Sequence, residues 1–401
     1  MAVSIVPARA DPVTPNLVGV FDQARYNDLP QAHQIGSVIY SPSVSLHETY
    51  DDNIYARPTD TKSDLITDVN PSLNVNSDLD MYNFGFNAIG DFGYYANHSS
   101  ENYDDYTVSG HGGWSMDTDT SLNASESESH LHEARTDPDD PGGDHPVEYH
   151  LSTQAVNFTR APSAIKLYID AERDALNYED STKDGTIIDN SGRDRDVYSL
   201  RGKLAYEFAP GYELFGSVGA NQRHYLNTGT NDRNSNGSDA EVGTDVYLTG
   251  KLKGNLYVGD IRQSYGSGLP DIDAPDYGGS LLWNVDQLTS VLASVNREID
   301  ETTFVDVAGS IDTNANLTIQ HSLRPNLFVV GVAGLTNSQY QAESSVPNRR
   351  DRDYAGGASL DYLPTGHVSA DLNYRYTDRR STDTTQNFND NQVTATLTLG
   401  F

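Results

Sequence analysis

Residues 163–178, SAIKLYIDAERDALNY, alternate strictly in twos. Ile165, Leu167, Ile169 and Ala171 take one face, and Lys166, Tyr168, Asp170 and Glu172 the other. Helical spacing would mix these sets, so period two predicts a strand with one apolar and one polar face. The pattern returns in residues 81–95, in 366–377 and in the closing stretch NDNQVTATLTLGF. About eighteen such segments follow one another, starting near Val38, Asp64, Met81, Tyr103, Thr120, Tyr149, Ser163, Asp194, Tyr212, Ala240, Asn255, Gly278, Leu288, Phe304, Asn326, Asp353, Gly366 and Gln386.

The connections narrow the choice further. Tight turns, SDLD (77–80), RAPS (160–163), APGY (209–212), LRPN (323–326) and LPTG (363–366), carry the Pro, Gly, Asn and Asp that turn geometry favours. Between them lie long polar stretches: 132–149, 178–196, 227–241 and 339–353. Short and long connections alternate along the chain. A soluble sandwich or propeller has no reason for that rhythm. An outer-membrane barrel has one, with short periplasmic turns on one rim and long extracellular loops on the other. The predicted fold is therefore all-β: a closed antiparallel transmembrane β-barrel of about 18 strands, with both termini periplasmic and an integral place in the outer membrane of a Gram-negative cell.

The longest apolar run, LFVVGVAGL (327–335), is too short for a spanning helix, which needs about 20 residues. Hydrocarbon offers no partner to a bare N–H or C=O, so a membrane sheet must close on itself. The terminal strand is then a seam with the first. Ala395, Leu397, Leu399 and Phe401 share its apolar face and form the expected assembly signal, with an aromatic ring at the end. Two aromatic girdles are expected, Tyr206, Phe208, Tyr212, Trp283, Tyr362 and Phe401 near the turns, and Tyr50, Tyr94, Tyr178, Tyr265, Tyr340 and Tyr376 near the loops. Ala8-Arg9-Ala10 fits a secretory cleavage site. Residues 1–36 are read as a signal-peptide remnant and periplasmic segment, and residues 37–401 as the barrel.

Eighteen strands enclose an aqueous bore unless something fills it. Strand parity points many charges into that bore. The acidic candidates are Asp91, Asp170, Glu172, Glu207, Asp245, Asp260 and Asp371. The basic ones are Lys166, Lys203, Arg201, Arg223, Arg262 and Arg375. Such a wall either pairs its own charges and holds water, or offers a path of hydrogen-bonding groups to sugars or ions. With 58 Asp and Glu against 26 Lys and Arg, a nucleic-acid partner is excluded, since phosphate wants clustered cations. Cysteine is absent, which removes disulfides and thiolate metal sites. No metal or other cofactor is expected. His130 and His132 stand at period two, but a lone histidine pair is weak ground for a metal. The Asp groups at 137–144 and 271–276 lack EF-hand spacing. No G-x-S-x-G or HExxH motif occurs, so an enzyme is not expected.

GSVIYSPSVSLHETYDDNIYA (36–56), DLITDVNPSL (64–73), SENYDDY (100–106), RTDPDDPGGDHPVEY (135–149), FAPGYELFGSV (208–218) and ETTFVDVAGSIDTNANLTIQHSL (301–323) resemble a family of bacterial outer-membrane β-barrel porins found in capsule and exopolysaccharide gene clusters. The resemblance runs from about residue 36 to 401. It implies a conduit for an exopolysaccharide or capsular polysaccharide, working beside a periplasmic polysaccharide export protein. Outer-membrane lipids, lipopolysaccharide and the barrel assembly machinery would be its other partners. The alternative is a general diffusion porin for small hydrophilic solutes, with an inward-folded loop at 132–149 or 178–196. A purely structural or adhesive barrel whose acidic loops bind divalent cations is a further reading, with solvated loop charge the plainer account of those Asp groups.

Overall fold

Most alternating segments form strands whose apolar face meets the lipid side of a closed wall. The computed structural model describes residues 32–401 apart from 78, 80, 229–231, 250, 267 and 344–346. The signal-peptide reading around Ala8–Ala10 falls outside the described residues. In chain order the long strands are β1 (Val38–Asp51), β2 (Asp64–Ser77), β3 (Tyr82–Tyr95), β4 (Tyr103–Asp117), β5 (Thr120–His132) and β6 (Glu148–Arg160). There follow β7 (Ile165–Tyr178), β8 (Arg195–Ala209), β9 (Tyr212–Tyr225), β10 (Ser235–Thr249), β11 (Leu252–Tyr265) and β12 (Ile272–Asn284). The last are β13 (Thr289–Asp300), β14 (Val307–Arg324), β15 (Leu327–Ala342), β16 (Arg350–Thr365), β17 (Val368–Ser381) and β18 (Phe388–Gly400). Every strand pairs antiparallel with its chain neighbours, and β18 pairs with β1 from Ser43↔Gly400 to Asp51↔Gln392. The wall is thus a closed antiparallel barrel of 18 strands. A short strand, His33–Ile35, turns back onto Val38–Tyr40 and covers the part of the β1 edge that β18 does not reach.

One rim carries turns such as 210–211 and 325–326, and the other carries loops such as 133–147 and 179–194. Two strands begin five or six residues earlier than the sequence pattern suggests, at Ser235 and Ile272 instead of near Ala240 and Gly278. Alternation is visible only where one face meets lipid. These strands continue past the lipid band, where the outer face is polar too and the apolar-out alternation stops.

The outer face carries the apolar set: Leu46, Ile169, Leu200, Leu256, Leu372 and Leu397 are all exposed there. At the turn rim, Tyr206, Phe208, Trp283, Tyr362 and Phe401 form the aromatic girdle. The loop-rim girdle differs from expectation. Tyr50, Tyr94 and Tyr376 face outward, but Tyr265 and Tyr340 are buried and Tyr178 lies under the Arg193 guanidinium, all inside the mouth. Exposed Tyr106, Tyr198, Tyr277, Tyr354 and Tyr374 complete the outer ring instead. The outer wall also has a polar interruption on β5–β8. There Ser152 donates to Glu128 at 2.6 Å, and Arg173 reaches Gln154 at 3.2 Å and Asp196 at 2.8 Å.

A bridged mouth above a charged bore

Below the loop rim, parity and register place Asp91, Lys166, Asp170, Glu172, Arg201, Lys203, Glu207, Arg223, Asp245, Asp371 and Arg375 on the inner face. Many pair across neighbouring strands. Lys166, nearly buried, sits 3.2 Å from Glu207 and against Glu213. Arg201 meets Asp239 at 2.8 Å and Glu241 at 3.3 Å, and Lys203 meets Asp245 at 3.3 Å. Asn157 donates to Asp170 at 2.7 Å. This side of the bore is a laced, hydrated wall.

Asp260 and Arg262 are corrections. They pair in register with Ala240 and Ser238 and point outward, where Arg262 Nε lies 2.6 Å from Asp260. The sequence places charge toward water, and in most of a barrel that means the bore. Here β11 has already passed the lipid band, so water lies outside as well. The inward positions at this height are instead Ile261, Gln263 and Tyr265, all buried.

The reason they are buried is the main departure from a plain cylinder. β12 pairs with β13 only through Gly279–Asn284 and Ser290–Val295, while β13 and β14 stay paired up to Asp300↔Ser310. The upper half of the β13–β14 hairpin therefore parts from β12 and folds inward, while β14 stays paired with β15 up to Val307↔Ala342. Ile299, Ala308 and Ile311 pack against the inner face of β11 and β12, on Ile261, Tyr265, Ile272 and Ala274, with Leu269 from the intervening loop. Gly309 is needed within the hairpin itself: a Cβ there would lie 2.5 Å from the carbonyl oxygen of Asp300 on the paired strand, and 3.3 Å from the Tyr265 hydroxyl of β11.

The hairpin tip, residues 301–306, lies across the mouth. Glu301 binds the Arg223 guanidinium and the Tyr225 hydroxyl. Arg233, only 5% exposed, donates to the carbonyl oxygens of Thr302 and Phe304. From the opposite wall, Asp139 of loop 133–147 accepts from Thr302 Oγ1 at 2.9 Å, and from Thr303 N and Oγ1, both at 3.1 Å. β5–β6 and β13–β14 stand almost diametrically apart, so these bonds span the opening. Loop 133–147 is braced on both flanks. Arg135 binds Glu101 at 2.7 Å and Asp140 at 3.2 Å, and Glu133 binds Arg193 of the next loop. Asp144 N donates to Thr182 O at 2.6 Å, in a small ribbon of Ser181–Lys183 and Thr186–Ile188.

Beside the bridge lies a cavity of about 300 Å³. Arg193, Arg195, Arg233 and Arg379 line it with Tyr178, Tyr225 and Tyr340. Eight carboxylates face these four guanidiniums: Glu133, Asp137, Asp139, Asp300, Glu301, Asp312, Asp351 and Asp353. Asp137 touches the water of the mouth. The surrounding protein, and then the charges of Glu133 and Asp139, push its carboxyl up to about 7. Burial also raises Glu133, against the pull of Arg193. The expected inward loop at 132–149 is therefore half of the constriction; the other half is the hairpin tip 301–306, which the strand pattern does not mark. Its trace in the sequence is Ile299, Ala308 and Ile311, apolar where the strand should already be in water.

Among the described residues, three side-chain sets could bring ligand atoms to one ion, with those atoms within 4.8 Å of one another. His130 joins His150 and Glu179 in one and Asp104 and Glu148 in another; the third is Asp51, Asp52 and Asp390. His130 and His132 do not act together, because His132 turns to Asp105 at 2.9 Å.

A closed antiparallel wall, an apolar outer belt with aromatic rims and a charged interior define an integral outer-membrane channel. The chain belongs to the family described as "Putative beta-barrel porin 2", whose model matches residues 30–401. Among curated proteins none matches it. Solved structures of similar fold include the outer membrane protein OpdK from Pseudomonas aeruginosa, 14% identical, covering 90% of this chain and 99% of that one, with a TM-score of 0.49. The BenF-like porin from Pseudomonas fluorescens Pf-5 is 9% identical over 90% and 99% of the two chains, with a TM-score of 0.49. The siderophore receptor PirA from Pseudomonas aeruginosa is 9% identical over 90% and 80%, with a TM-score of 0.47.

Proposed function

We propose that this barrel is a diffusion channel for small hydrophilic solutes. The observation that carries this reading is the bridge from Asp139 to Thr302 and Thr303, which divides the mouth. A polymer exit would need an unobstructed bore along its whole length, whereas small solutes pass beside such a bridge. Eight carboxylates against four guanidiniums in the adjoining cavity favour cations, since like charge in a narrow pore repels anions. Asp91, Asp170, Glu172, Glu207, Asp245, Asp371, Lys166, Lys203, Arg201, Arg223 and Arg375 hydrate the wall along the way. In this reading the long-loop rim faces the exterior and the short-turn rim the periplasm, with residues 37–401 forming the channel. Ala395, Leu397, Leu399 and Phe401 are what the barrel assembly machinery reads.

The test has two arms. In planar bilayers the purified barrel should conduct with a mild cation preference. In a deletion strain, small-solute uptake should fall while surface polysaccharide stays at wild-type level. Polymer made but held in the periplasm would overturn the reading in favour of a polysaccharide conduit with a periplasmic export partner.

A further inference from the structure

The barrel seam ends at the loop rim in three carboxylates. Asp51 closes β1, Asp52 follows it, and Asp390 lies on β18, with one carboxylate oxygen from each within 4.8 Å of the others. Asp51 is 6% exposed and Asp390 2%. Neutral donors fix two of them. Asp51 accepts from Asn53 N at 2.7 Å and from Gln392 Nε2 at 2.9 Å. Asp52 accepts from Asn391 N and Nδ2, both at 2.8 Å. Asp390 is different: its Oδ1 is buried and has no hydrogen-bond partner. Among the described residues no ion pair reaches any of the three. Arg375, on the adjacent strand opposite Gln392 and two residues deeper than the Thr377↔Asp390 pair, feels the charge of Asp390 but makes no ion pair with it.

Three mutually close carboxylates with no cation in ion-pair contact are costly to bury. We propose that Asp51, Asp52 and Asp390 bind a calcium ion that clamps the closing seam. All donors are hard oxygens, which suits calcium and not zinc or copper. Calcium–oxygen bonds of about 2.3–2.6 Å allow ligands to stand up to about 5 Å apart, and these oxygens all lie within 4.8 Å of one another. Water completes the shell from the lumen side. Asp52 and Asp51 come from β1 and its loop, and Asp390 from β18, so the ion ties together strands that no turn connects.

The full-length barrel, folded in detergent and stripped with EDTA, is titrated with calcium chloride. Heat-modifiable gel mobility gives the unfolding temperature, and terbium luminescence displaced by calcium gives occupancy. Calcium should raise the unfolding temperature by several degrees and saturate. Asp390→Asn should abolish both signals while unfolding in EDTA no earlier than wild type, because it removes a repelling charge. Asp139→Asn in the mouth should keep the full response. If Asp390→Asn does not fold, Asp52→Asn is read in the same way. A wild-type barrel with equal stability in EDTA and calcium overturns the site, as does a calcium response that survives both substitutions. Neither readout depends on conductance, so the result is independent of what the channel carries.

Discussion

Arg233 shows how a single side chain can set the width of a channel. Its guanidinium, buried beside the tip, satisfies two carbonyl oxygens of the crossing hairpin. Arg233→Ala leaves them unpaired, which costs about 1–3 kcal/mol locally. Single-channel recordings should then show a larger and noisier conductance, with the amount of folded barrel unchanged. Asp137 is the complementary case. Its carboxyl, pushed up to about 7, is charged above that pH and neutral below it. Cation preference should fall as the pH drops from 8 to 6, and Asp137→Asn should flatten that profile at the lower level. Reversal potentials at several pH values check both. Parity can be tested with one neighbouring pair. Leu372 faces lipid and Asn373 the bore, so Leu372→Arg should cost roughly 2–4 kcal/mol near the midplane and Asn373→Arg far less. Urea unfolding in lipid vesicles measures the difference, and equal losses would mean the faces are exchanged.

The β13–β14 hairpin is held inside by packing more than by its tip. Burying Ile272 and Ile311 stabilises by roughly 1.5–3 kcal/mol each, against about 1 kcal/mol net for a typical hydrogen bond. Ile311→Ala should therefore cost about 2–5 kcal/mol of local stability and release the hairpin. Hydrogen exchange should rise across residues 299–311, and conductance should increase more than in Arg233→Ala. The sequence shows the strands of this region but not their path. Period two distinguishes only two faces, and it equates the polar face with the bore. That works for Lys166 and Arg201, which sit at lipid height. It fails for Asp260 and Arg262, which lie above the lipid, and for Ile311, whose apolar side meets the inner surface of β11 and β12. A hairpin that folds inward presents its former lipid face to protein, and no local pattern separates lipid from protein.

At the scale of the whole molecule, what was legible is the part that hydrocarbon enforces: strand number, alternation, closure and the two kinds of connection. The constriction was not, because it arises from contacts such as Asp139 with Thr302 and Thr303, between residues far apart in the chain. Deleting Phe401 tests the seam at this scale. Its N–H bonds the Pro42 carbonyl oxygen at 3.1 Å, and its ring ends the outer apolar face of β18. Loss of the residue should sharply lower the yield of protease-resistant, heat-modifiable barrel in the outer membrane.

The register from Ser43↔Gly400 to Asp51↔Gln392 has a consequence for synthesis. Partners this distant in the chain meet only after almost everything between them has been made, and such pairings are intrinsically slow to form. A product released by the ribosome before residues 392–400 is an open sheet with two bare edges, β1 and β17, and no bilayer will accept it. Closure therefore proofreads translation. Shortened chains stay in the aqueous compartment, within reach of chaperones and proteases, and only a finished one becomes a hole in the membrane.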